Sequence, residues 1–487
     1  MAEERLKALI ELALAAGRYL QSPQTGYIHY HYGSQESDIQ HSIPLWENVL
    51  FALALFRSRT IENITEAKAL LERLLIFQSV HHPESHGNFP IYLQDYPLCR
   101  DPLWGIHFLA PFYWILKSFG HILGQVLKQK LEGAIRALLN YSLTIHHQQP
   151  LNYPLAIRLA ALMQAYGELW EDPNLKEQAE VEWQRLLTES PQWESTKKLS
   201  DLLISYQIVK PYLKNSSYWQ TFWQYLSQTW HHVCHTYVGP CIKEKQLREL
   251  PQSTLYDLFL GYFSGQEPRR EKKPQPYQLQ AALIQPYREE WEVLPAFELE
   301  GRYKDSRWDL IYYEQGACTL LQKQELLTHP LEGTYTPFRL VWKGSTSIHT
   351  LVCQGGDVLV NYEKNFPFIY LFFDWPKTEN QGKSTQGIHF YLDAHPDLKI
   401  EMDGHLATTF ELGQTLTIQS NPIHLQFTFE LIEGEGQFMG HLQKGNRSTQ
   451  LDVKGDNRFN VYDWHFFIRA LRRRESCRLM AKIQFLS

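Results

Sequence analysis

The 487 residues are too many for one ordinary hydrophobic core, so the length predicts two or more domains. Hydrophobic residues make up 44% of the chain and charged residues 21%, which is normal for a globular protein. The net charge of -6 argues against a general nucleic-acid binder, and the six cysteines include no CxxC pair, which argues against a zinc ribbon or a redox dithiol.

Residues 3–20 predict a helix and not a secretion signal. Glu3 and Glu4 stand where a signal peptide would have a basic start, and Glu11 interrupts the apolar run. No stretch of about 18 uncharged apolar residues occurs, so no membrane span is expected. We therefore expect a cytoplasmic protein, with secretion by a non-classical route as the alternative.

Apolar residues continue at helical spacing over residues 1–266. The stretches WENVLFALALF and YPLAIRLAALMQAYGELW are apolar on more than one side, which predicts helices buried on most faces. LLERLLIFQ and VEWQRLLTE are amphipathic and predict outer helices. The predicted helices cover residues 3–20, 44–57, 62–80, 101–120, 122–145, 152–169, 174–188, 196–211, 216–233 and 252–264.

The connections between these helices alternate in length. The short connections are 58–61, 121, 170–173 and 212–215, and the longer ones are 21–43, 81–100, 146–151 and 234–251. In an antiparallel array of helix pairs, alternate connections lie at opposite ends. The longer connections should therefore gather on one face, and loops on a rigid scaffold are where binding and catalytic residues usually lie.

The sequence changes character after the Pro-rich, basic stretch EPRREKKPQPYQ, and residues 267–282 are predicted to form a linker. From residue 283 to 487, short alternating or apolar runs such as FRLVWKG, IHTLVCQG and FIYLFFDW are separated by Gly, Asn, Asp and Pro. This pattern is typical of an antiparallel β-sandwich. The predicted fold class is therefore α+β and multidomain, with helix pairs followed by a sandwich.

Histidine is concentrated in the longer connections of the helical half. Thirteen of the 21 histidines precede residue 283, and eleven of these lie in or beside those connections: His29, His31, His41, His81, His82, His86, His146, His147, His231, His232 and His235. One interpretation is a shared cleft rich in His and Tyr. The alternative is that polar residues simply populate the helix ends.

Several segments would line such a cleft, among them GYIHYHYGS, HGNFPIYLQDYP, LNYP and STLYDLF. Side chains near helix N-termini also experience the positive end of the helix dipole, which favours a bound anion. The candidate site residues are His29, His31, Trp46, His86, Asn88, Tyr92, Asp95, Tyr96, Asn152, Tyr153, Arg158, Tyr256 and Asp257.

Structural interpretations compete with several functional ones. Asn88 suits a cap or a turn, Asp101 suits the N-cap of the helix that follows it, and Asp257 suits a helix N-terminus. His107 has aromatic neighbours in the sequence, which favours a satisfied core histidine. Each of these residues therefore has a role that needs no ligand.

Other catalytic classes lack their motifs. No GxSxG, GxGxxG or HExxH sequence occurs, which argues against the usual serine hydrolases, dinucleotide enzymes and zinc proteases. The adjacent His pairs at 81–82, 146–147 and 231–232 would point in different directions on a helix, so a metal is disfavoured. No cofactor is predicted.

A toroid of helix pairs followed by an antiparallel β-sandwich resembles the polysaccharide lyases of the chondroitin AC lyase and heparinase II/III type. The resemblance covers nearly the whole chain and is architectural. Its nearest local likeness lies in GNFPIYLQDYP and the following helix, in Asn152 and Tyr153, and in Tyr256. It implies an (α/α) toroid and an acidic oligosaccharide or polysaccharide as the partner.

The resemblance also implies a cleft in which an Asn, a His, a Tyr and an Arg cluster, here Asn88, His86, Tyr92 and Arg158, with Tyr256 as a further catalytic candidate. In such enzymes the proton beside a uronate carboxylate becomes removable only when donors neutralise that carboxylate. A Tyr or His then removes the proton, and a Tyr protonates the leaving oxygen.

Two other functions remain open on this scaffold. A glycoside hydrolase needs two carboxylates across the scissile bond, for which Asp95 and Asp257 are the candidates. A non-catalytic relative that binds a glycan or a protein would keep the architecture alone, because one fold hosts many functions. The oligomeric state is left without a prediction.

Overall fold

A computed structural model provides the fold. The described residues are 2–31, 42–188, 196–212, 217–239, 255–266, 268, 274–286, 302–304, 308–322, 336–345, 348–354, 358–365, 367–377, 387–393, 395–444, 464–473 and 475–486. His41, singled out above, lies outside them. All thirteen candidate site residues lie within them.

The helical part contains every helix that the apolar spacing predicted. The helices are α1 Ala2–Leu20, α2 Leu45–Ser58, α3 Ile61–Leu75, α4 Ile106–Phe119, α5 Gln125–Gln148, α6 Tyr153–Leu169, α7 Pro173–Thr188, α8 Thr196–Val209, α9 Ser217–Thr229 and α10 Leu255–Phe263. Among the described residues, no helix has the length and apolar content that crossing a bilayer would require.

Three helix ends differ from the prediction by four residues or more. α3 ends at Leu75 and not at residue 80, since the backbone of Ser79 bonds to Gly87 and Asn88 instead. α4 begins at Ile106 and not at residue 101. Asp101 therefore does not cap it, and its carboxylate accepts a hydrogen bond from the backbone of Leu103 at 2.8 Å.

The third difference is at the end of α9. The helix stops at Thr229, and the next residues form a short strand pair, β1 Trp230–His231 with β2 Thr236–Tyr237, where helix was predicted to residue 233. Trp230 and Tyr237 are opposite each other in this pair and are both buried. Burial of these two large side chains favours the strand pair over another helical turn.

The helices form an inner row and an outer row. α2 packs on α4, α4 on α6, α6 on α8, and α8 on α10, while α3, α5 and α7 lie against their preceding inner helices. α2 is buried from Leu45 to Phe56, as predicted for a helix apolar on more than one side, and α3 buries one stripe only. The even-numbered helices therefore run side by side, with their first residues at one end.

The chain divides into two compact units. The first consists of Met1–Gln224 and Ser253–Leu294, and the second of Tyr225–Gln252 and Pro295–Ser487. The predicted division was a helical domain over 1–266, a linker over 267–282 and a sandwich over 283–487. Pro276–Leu283 is instead a 3-10 helix packed on α1 and α2, because its apolar residues are buried there.

The close approach of α1 and α2 gives a testable feature of the first unit. A Cβ added to Gly17 on α1 would lie 2.1 Å from Cδ2 of Phe51 on α2. Gly17→Ala should therefore lower the free energy of unfolding by about 1–3 kcal/mol through overpacking. The matched control is Gly133→Ala on α5, where a Cβ meets nothing within 4 Å and helix propensity predicts a gain of roughly 0.5–1 kcal/mol. Equal shifts in the thermal unfolding of both variants would contradict this packing.

The second unit is built from antiparallel strands, as predicted. After β1 and β2 they are β3 Arg302–Lys304, β4 Trp308–Tyr313, β5 Gly316–Leu321, β6 Phe338–Lys343, β7 Ile348–Gln354, β8 Leu359–Asn365, β9 Phe368–Trp375, β10 Gly387–Leu392, β11 Lys399–Met402, β12 Thr409–Phe410, β13 Thr415–Ser420, β14 Ile423–Glu433, β15 Gly436–Lys444, β16 Trp464–Arg473 and β17 Cys477–Phe485.

The described strands form two large sheets that pack face to face. One has the order β12-β15-β16-β10-β7-β6-β5-β4-β3, and the other β11-β13-β14-β17-β9-β8. Phe390 of the first sheet meets Phe427 of the second at 5.4 Å between ring centroids, and Phe466 meets the same ring at 5.3 Å. Strand β9 alternates half-exposed and buried residues along its length, which is the pattern of a strand with one face in a sandwich core.

Candidate active site

The connection before α2 is held to the helix by a buried asparagine. Asn48 accepts a hydrogen bond from the backbone N–H of Ile28 at 2.8 Å, and its amide donates to the carbonyls of Ile28 at 3.1 Å and Pro44 at 2.8 Å. One side chain thus hydrogen-bonds to the backbone of both Ile28 and Pro44. This fixes Ile28 beside the N-terminal end of α2.

Tyr92 joins the same end of α2 from the second long connection. Its backbone forms an antiparallel bridge with Pro44, flanked by a bond from Leu45 N to the Ile91 carbonyl at 3.0 Å. The Tyr92 ring stacks on His31, with centroids 5.2 Å apart and planes 2° from parallel. The structure therefore brings two of the predicted residues, His31 and Tyr92, into contact.

A buried ion pair joins α6 to α8. Arg158 on α6 donates from Nη2 to the Asp201 carboxylate on α8 at 2.8 Å, and the two residues are 3% and 5% exposed. Burial lowers the pKa of Arg158, and the charge of Asp201 opposes that shift. Because the pair is so deeply buried, Arg158 is not placed to touch a large substrate directly.

Arg158 instead holds a histidine. Its Nη1 lies within hydrogen-bond distance of Nδ1 of His107, in the first turn of α4. An arginine can only donate, so Nδ1 of His107 must accept. A neutral His107 then carries its proton on Nε2, and the imidazole is half-buried.

Two tryptophans flank this imidazole. The Trp46 ring, in the first turn of α2, lies 5.8 Å from the His107 ring centroid, and the Trp104 ring lies 5.3 Å from it. Trp46 is buried, whereas Trp104 is partly exposed. A partly exposed aromatic ring beside a fixed polar donor suits the binding of a sugar ring, which has apolar faces and polar edges. Trp46 is thus a predicted site residue that the structure brings to His107.

Two buried nitrogens at these positions have no hydrogen-bond partner among the described residues. They are Nδ1 of His31 and Nε of Arg158. Buried polar atoms are normally paired with protein or water, so each such atom calls for an explanation. Here both belong to residues next to the half-exposed rings of Tyr92 and His107.

Other predicted residues have structural partners. Asn88 is fully buried, its amide donates to the Asp101 carbonyl at 3.2 Å, and a Cβ on Gly105 would lie 2.1 Å from its Oδ1. His86 is exposed, and its Nδ1 lies 3.2 Å from the carbonyl oxygen of Val80. Within the described part of the chain, neither residue hydrogen-bonds to Arg158.

The remaining predicted residues lie at several helix ends. Asp95 pairs with Arg100 at 3.7 Å, and Tyr96 meets Phe77 edge-on at 5.6 Å. Asn152 caps α6 by accepting from the backbone of Leu155 at 3.3 Å. The other members of this group are His29, which bonds to Thr25 at 2.8 Å, Tyr153 in the first turn of α6, and the buried Tyr256 and Asp257 in the first turn of α10.

The sequence analysis missed His107, Asp201 and Trp104 as site residues. His107 was interpreted as a core histidine because its neighbours along α4 are aromatic, and Asp201 was not singled out. A usable signal was present in the predicted helices. His107, Arg158 and Asp201 all fall in the first two turns of alternate helices, and alternate helices start at the same end of the array.

No family model and no curated protein matches this sequence. Among solved structures, heparinase III is similar with a TM-score of 0.51 at 10% identity, over 99% of this chain and 85% of that one. A heparan sulfate lyase mutant from Pedobacter heparinus has a TM-score of 0.45 at 10% identity, over 98% of this chain and 83% of that one. Chondroitinase AC lyase has a TM-score of 0.43 at 10% identity, over 99% of this chain and 82% of that one.

The likeness to heparinase III extends over both units and is a likeness of fold, given the low identity. It agrees with the inner and outer rows of helices and with the paired antiparallel sheets described above. The predicted fold class is thereby confirmed: this chain has the polysaccharide-lyase-like fold of heparinase III, a helical toroid followed by an antiparallel β-sandwich.

Proposed function

We propose that this protein is a carbohydrate-active lyase that cleaves a uronic-acid-containing glycan by β-elimination at the site around His107. The observation that carries the proposal is the buried Arg158–Asp201 pair, which holds the imidazole of His107 between Trp46 and Trp104. A buried ion pair costs desolvation energy, and sites that perform chemistry are where such arrangements concentrate. The fold shared with heparinase III agrees with this reaction class.

In this proposal His107 stabilises the substrate carboxylate by donating a hydrogen bond to it. Elimination requires removal of the proton next to that carboxylate, and charge then accumulates on the carboxylate oxygens. The Nε2 N–H of His107 is a donor whose direction Arg158 sets through Nδ1. Arg158 is therefore a positioning residue, and its own charge is compensated by Asp201 and not by the substrate.

Tyrosines beside α2 supply the proton transfers. Tyr92 is the proposed base, because its backbone pairs with Pro44, two residues before the Trp46 that contacts His107. Burial and, secondarily, the Glu47 carboxylate raise the pKa of Tyr30. Tyr30, which like any tyrosine of ordinary or raised pKa is protonated at neutral pH, is the proposed proton donor to the leaving oxygen.

Trp104 and His31 form the proposed sugar-binding surface. Trp104 flanks the donor of His107, and His31 extends the surface through its stack on Tyr92, while the buried Trp46 packs against His107. A surface of this kind binds the apolar face of a sugar while the polar groups fix its orientation. The alternative of a hydrolase needs Asp95 as one of its two carboxylates. Asp95 already pairs with Arg100, which does not favour that role.

The direct test is an assay on a panel of uronic-acid polysaccharides and oligosaccharides. Unsaturated products are followed by their ultraviolet absorbance, and new reducing ends are counted in the same samples. A lyase raises both signals together. Reducing ends without ultraviolet absorbance would replace the proposal by a hydrolase, and binding without either signal would replace it by a glycan-binding protein.

A further inference from the structure

The last turn of α4 carries a lysine whose ammonium group is held by two tyrosines. Nζ of Lys117 donates to the hydroxyl oxygen of Tyr113, on the same helix, at 2.8 Å. It also donates at 2.9 Å to the hydroxyl oxygen of Tyr212, which lies shortly after the end of α8. The two hydroxyl oxygens are 2.8 Å apart. The three polar atoms therefore form a compact triangle within the first unit.

This triangle is at the opposite end of α4 from His107. His107 lies in the first turn of α4 and Lys117 in its last turn, so a rise of about 1.5 Å per residue separates them by about 15 Å along the helix axis. Tyr212 likewise follows the last residue of α8, whereas Asp201 lies in the first two turns of that helix. The triangle is thus separate from the proposed active site.

Three aromatic rings surround the ammonium group. Nζ of Lys117 is 5.2 Å from the ring centroid of Tyr113, 5.7 Å from that of Trp114 and 5.0 Å from that of Tyr212. The helix dipole alone favours a lysine in a last turn, but it does not require the side chain to be fixed. An exposed lysine keeps rotamer freedom worth up to roughly 2 kcal/mol, and the two hydrogen bonds and the ring faces restrict that freedom here.

A count of protons shows which donors remain. The ammonium group has three N–H donors, and each hydroxyl has one O–H. Two N–H groups go to the tyrosines, and one hydroxyl donates to the other. Tyr113 is fully buried, so its O–H points to Tyr212, and the half-buried Tyr212 keeps its own O–H for an outside acceptor. One N–H and one O–H are therefore left, on two atoms 2.9 Å apart.

The positive charge of Lys117 is not compensated within the described ranges of the chain. Its polar contacts there are the two tyrosine hydroxyls, and no described carboxylate forms an ion pair with it. Burial and the hydroxyl of Tyr212 raise the pKa of Tyr113, so that hydroxyl stays neutral and does not balance the charge. The buried Arg158 differs, because Asp201 is its counter-charge.

We propose that Lys117 and Tyr212 bind an oxyanion, which is the carboxylate, sulfate or phosphate group of a small ligand. The remaining N–H and O–H can each donate to one oxygen of the same group, and hydrogen bonds to an ionised group are the stronger ones. Two sources offer this chemistry, an acidic saccharide and a free inorganic anion. The proposal does not depend on the lyase reaction, since the triangle is remote from His107.

The test is calorimetric titration of the full chain at low ionic strength with sulfate, phosphate and glucuronate, and with the uncharged methyl glucoside for comparison. Two charge-assisted hydrogen bonds predict a dissociation constant on the order of 1 mM for at least one of the three anions. Tighter binding of glucuronate identifies a saccharide as the source, and equal or tighter binding of the inorganic ions identifies a free anion. No binding of any anion, or equal binding of methyl glucoside, overturns the proposal.

Variants assign the binding to this triangle. Lys117→Met removes the charge from an exposed side chain and should weaken anion binding by about tenfold or more, and Tyr212→Phe removes one hydroxyl and should weaken it by about threefold to tenfold. The matched control is Lys128→Met in the first turn of α5, where a half-exposed lysine lies 3.9 Å from Glu132. This control should bind as the unaltered chain does.

Only the binding that is lost with Lys117 counts, because glucuronate bound near His107 does not contact that side chain. Unchanged anion binding in both Lys117→Met and Tyr212→Phe overturns the assignment. An equal loss in Lys128→Met overturns it too, because the anions would then respond to overall charge and not to one site. Circular dichroism and the urea midpoint establish that each variant is folded.

Discussion

His107→Ala is expected to reduce the turnover of a cleaved uronate glycan by about 10²–10⁴-fold while the protein stays folded. The imidazole is half-exposed and bonded to the buried Arg158, so its removal deletes the donor without opening the core. The measurement is kcat and KM from the ultraviolet absorbance of the products. The matched control is His121→Ala, at an exposed position after the same helix, which should leave turnover unchanged.

His107→Gln distinguishes a donor from a base. The glutamine amide places an N–H near the position of Nε2, so it keeps the donor but has no basic nitrogen. If His107 neutralises the carboxylate, His107→Gln should retain at least tenfold more activity than His107→Ala. Equal inactivity of the two variants, with Tyr92→Phe still active, would instead make His107 the base and contradict the assigned roles.

Asp201→Asn is expected to lower the free energy of unfolding of the first unit by about 3–5 kcal/mol. The change leaves the Arg158 guanidinium buried without its counter-charge. The double variant Arg158→Met/Asp201→Leu should recover most of that loss, because it removes both charges and fills the space with apolar atoms. The measurement is the urea midpoint of the transition that belongs to the helical unit.

The exposed pair of Lys130 and Glu72 provides the control. Its atoms are 2.7 Å apart but both side chains are about half-exposed, so Glu72→Gln should cost under about 1 kcal/mol. The double variant at Arg158 and Asp201 should also be inactive although it is stable, because His107 has lost the group that orients it. Full activity in that stable variant would contradict the positioning role of Arg158.

Much of the fold follows from local patterns in the sequence. The helical spacing predicted every described α-helix, and the alternation of residues such as those of β9 predicted the sandwich. Apolar residues recur with the period of a helix or of a strand because they lie on the face that is buried. The element ends were less predictable. At Ser79 and Asp101, hydrogen bonds to residues distant from the helix decide where α3 and α4 stop and start.

The candidate site was predicted only in part, for the same physical reason. The sequence pointed to one end of the helical array and to Trp46, Tyr92 and Arg158, since the long connections lie there. It assigned Arg158 to the substrate, whereas the folded chain buries that side chain between Asp201 and His107. Aromatic neighbours along one helix cannot reveal that a guanidinium from another helix reaches the histidine.

The sequence by itself therefore determined the two structural classes and their order, because these depend on the hydrophobic period. Connection length led to the prediction that the site lies at one end of the helical array. Tertiary structure alone decided which polar groups meet. His107, Arg158 and Asp201 come from three helices, and Lys117 of α4 meets Tyr212, which follows α8. Such contacts depend on how distant segments pack, which no local pattern encodes.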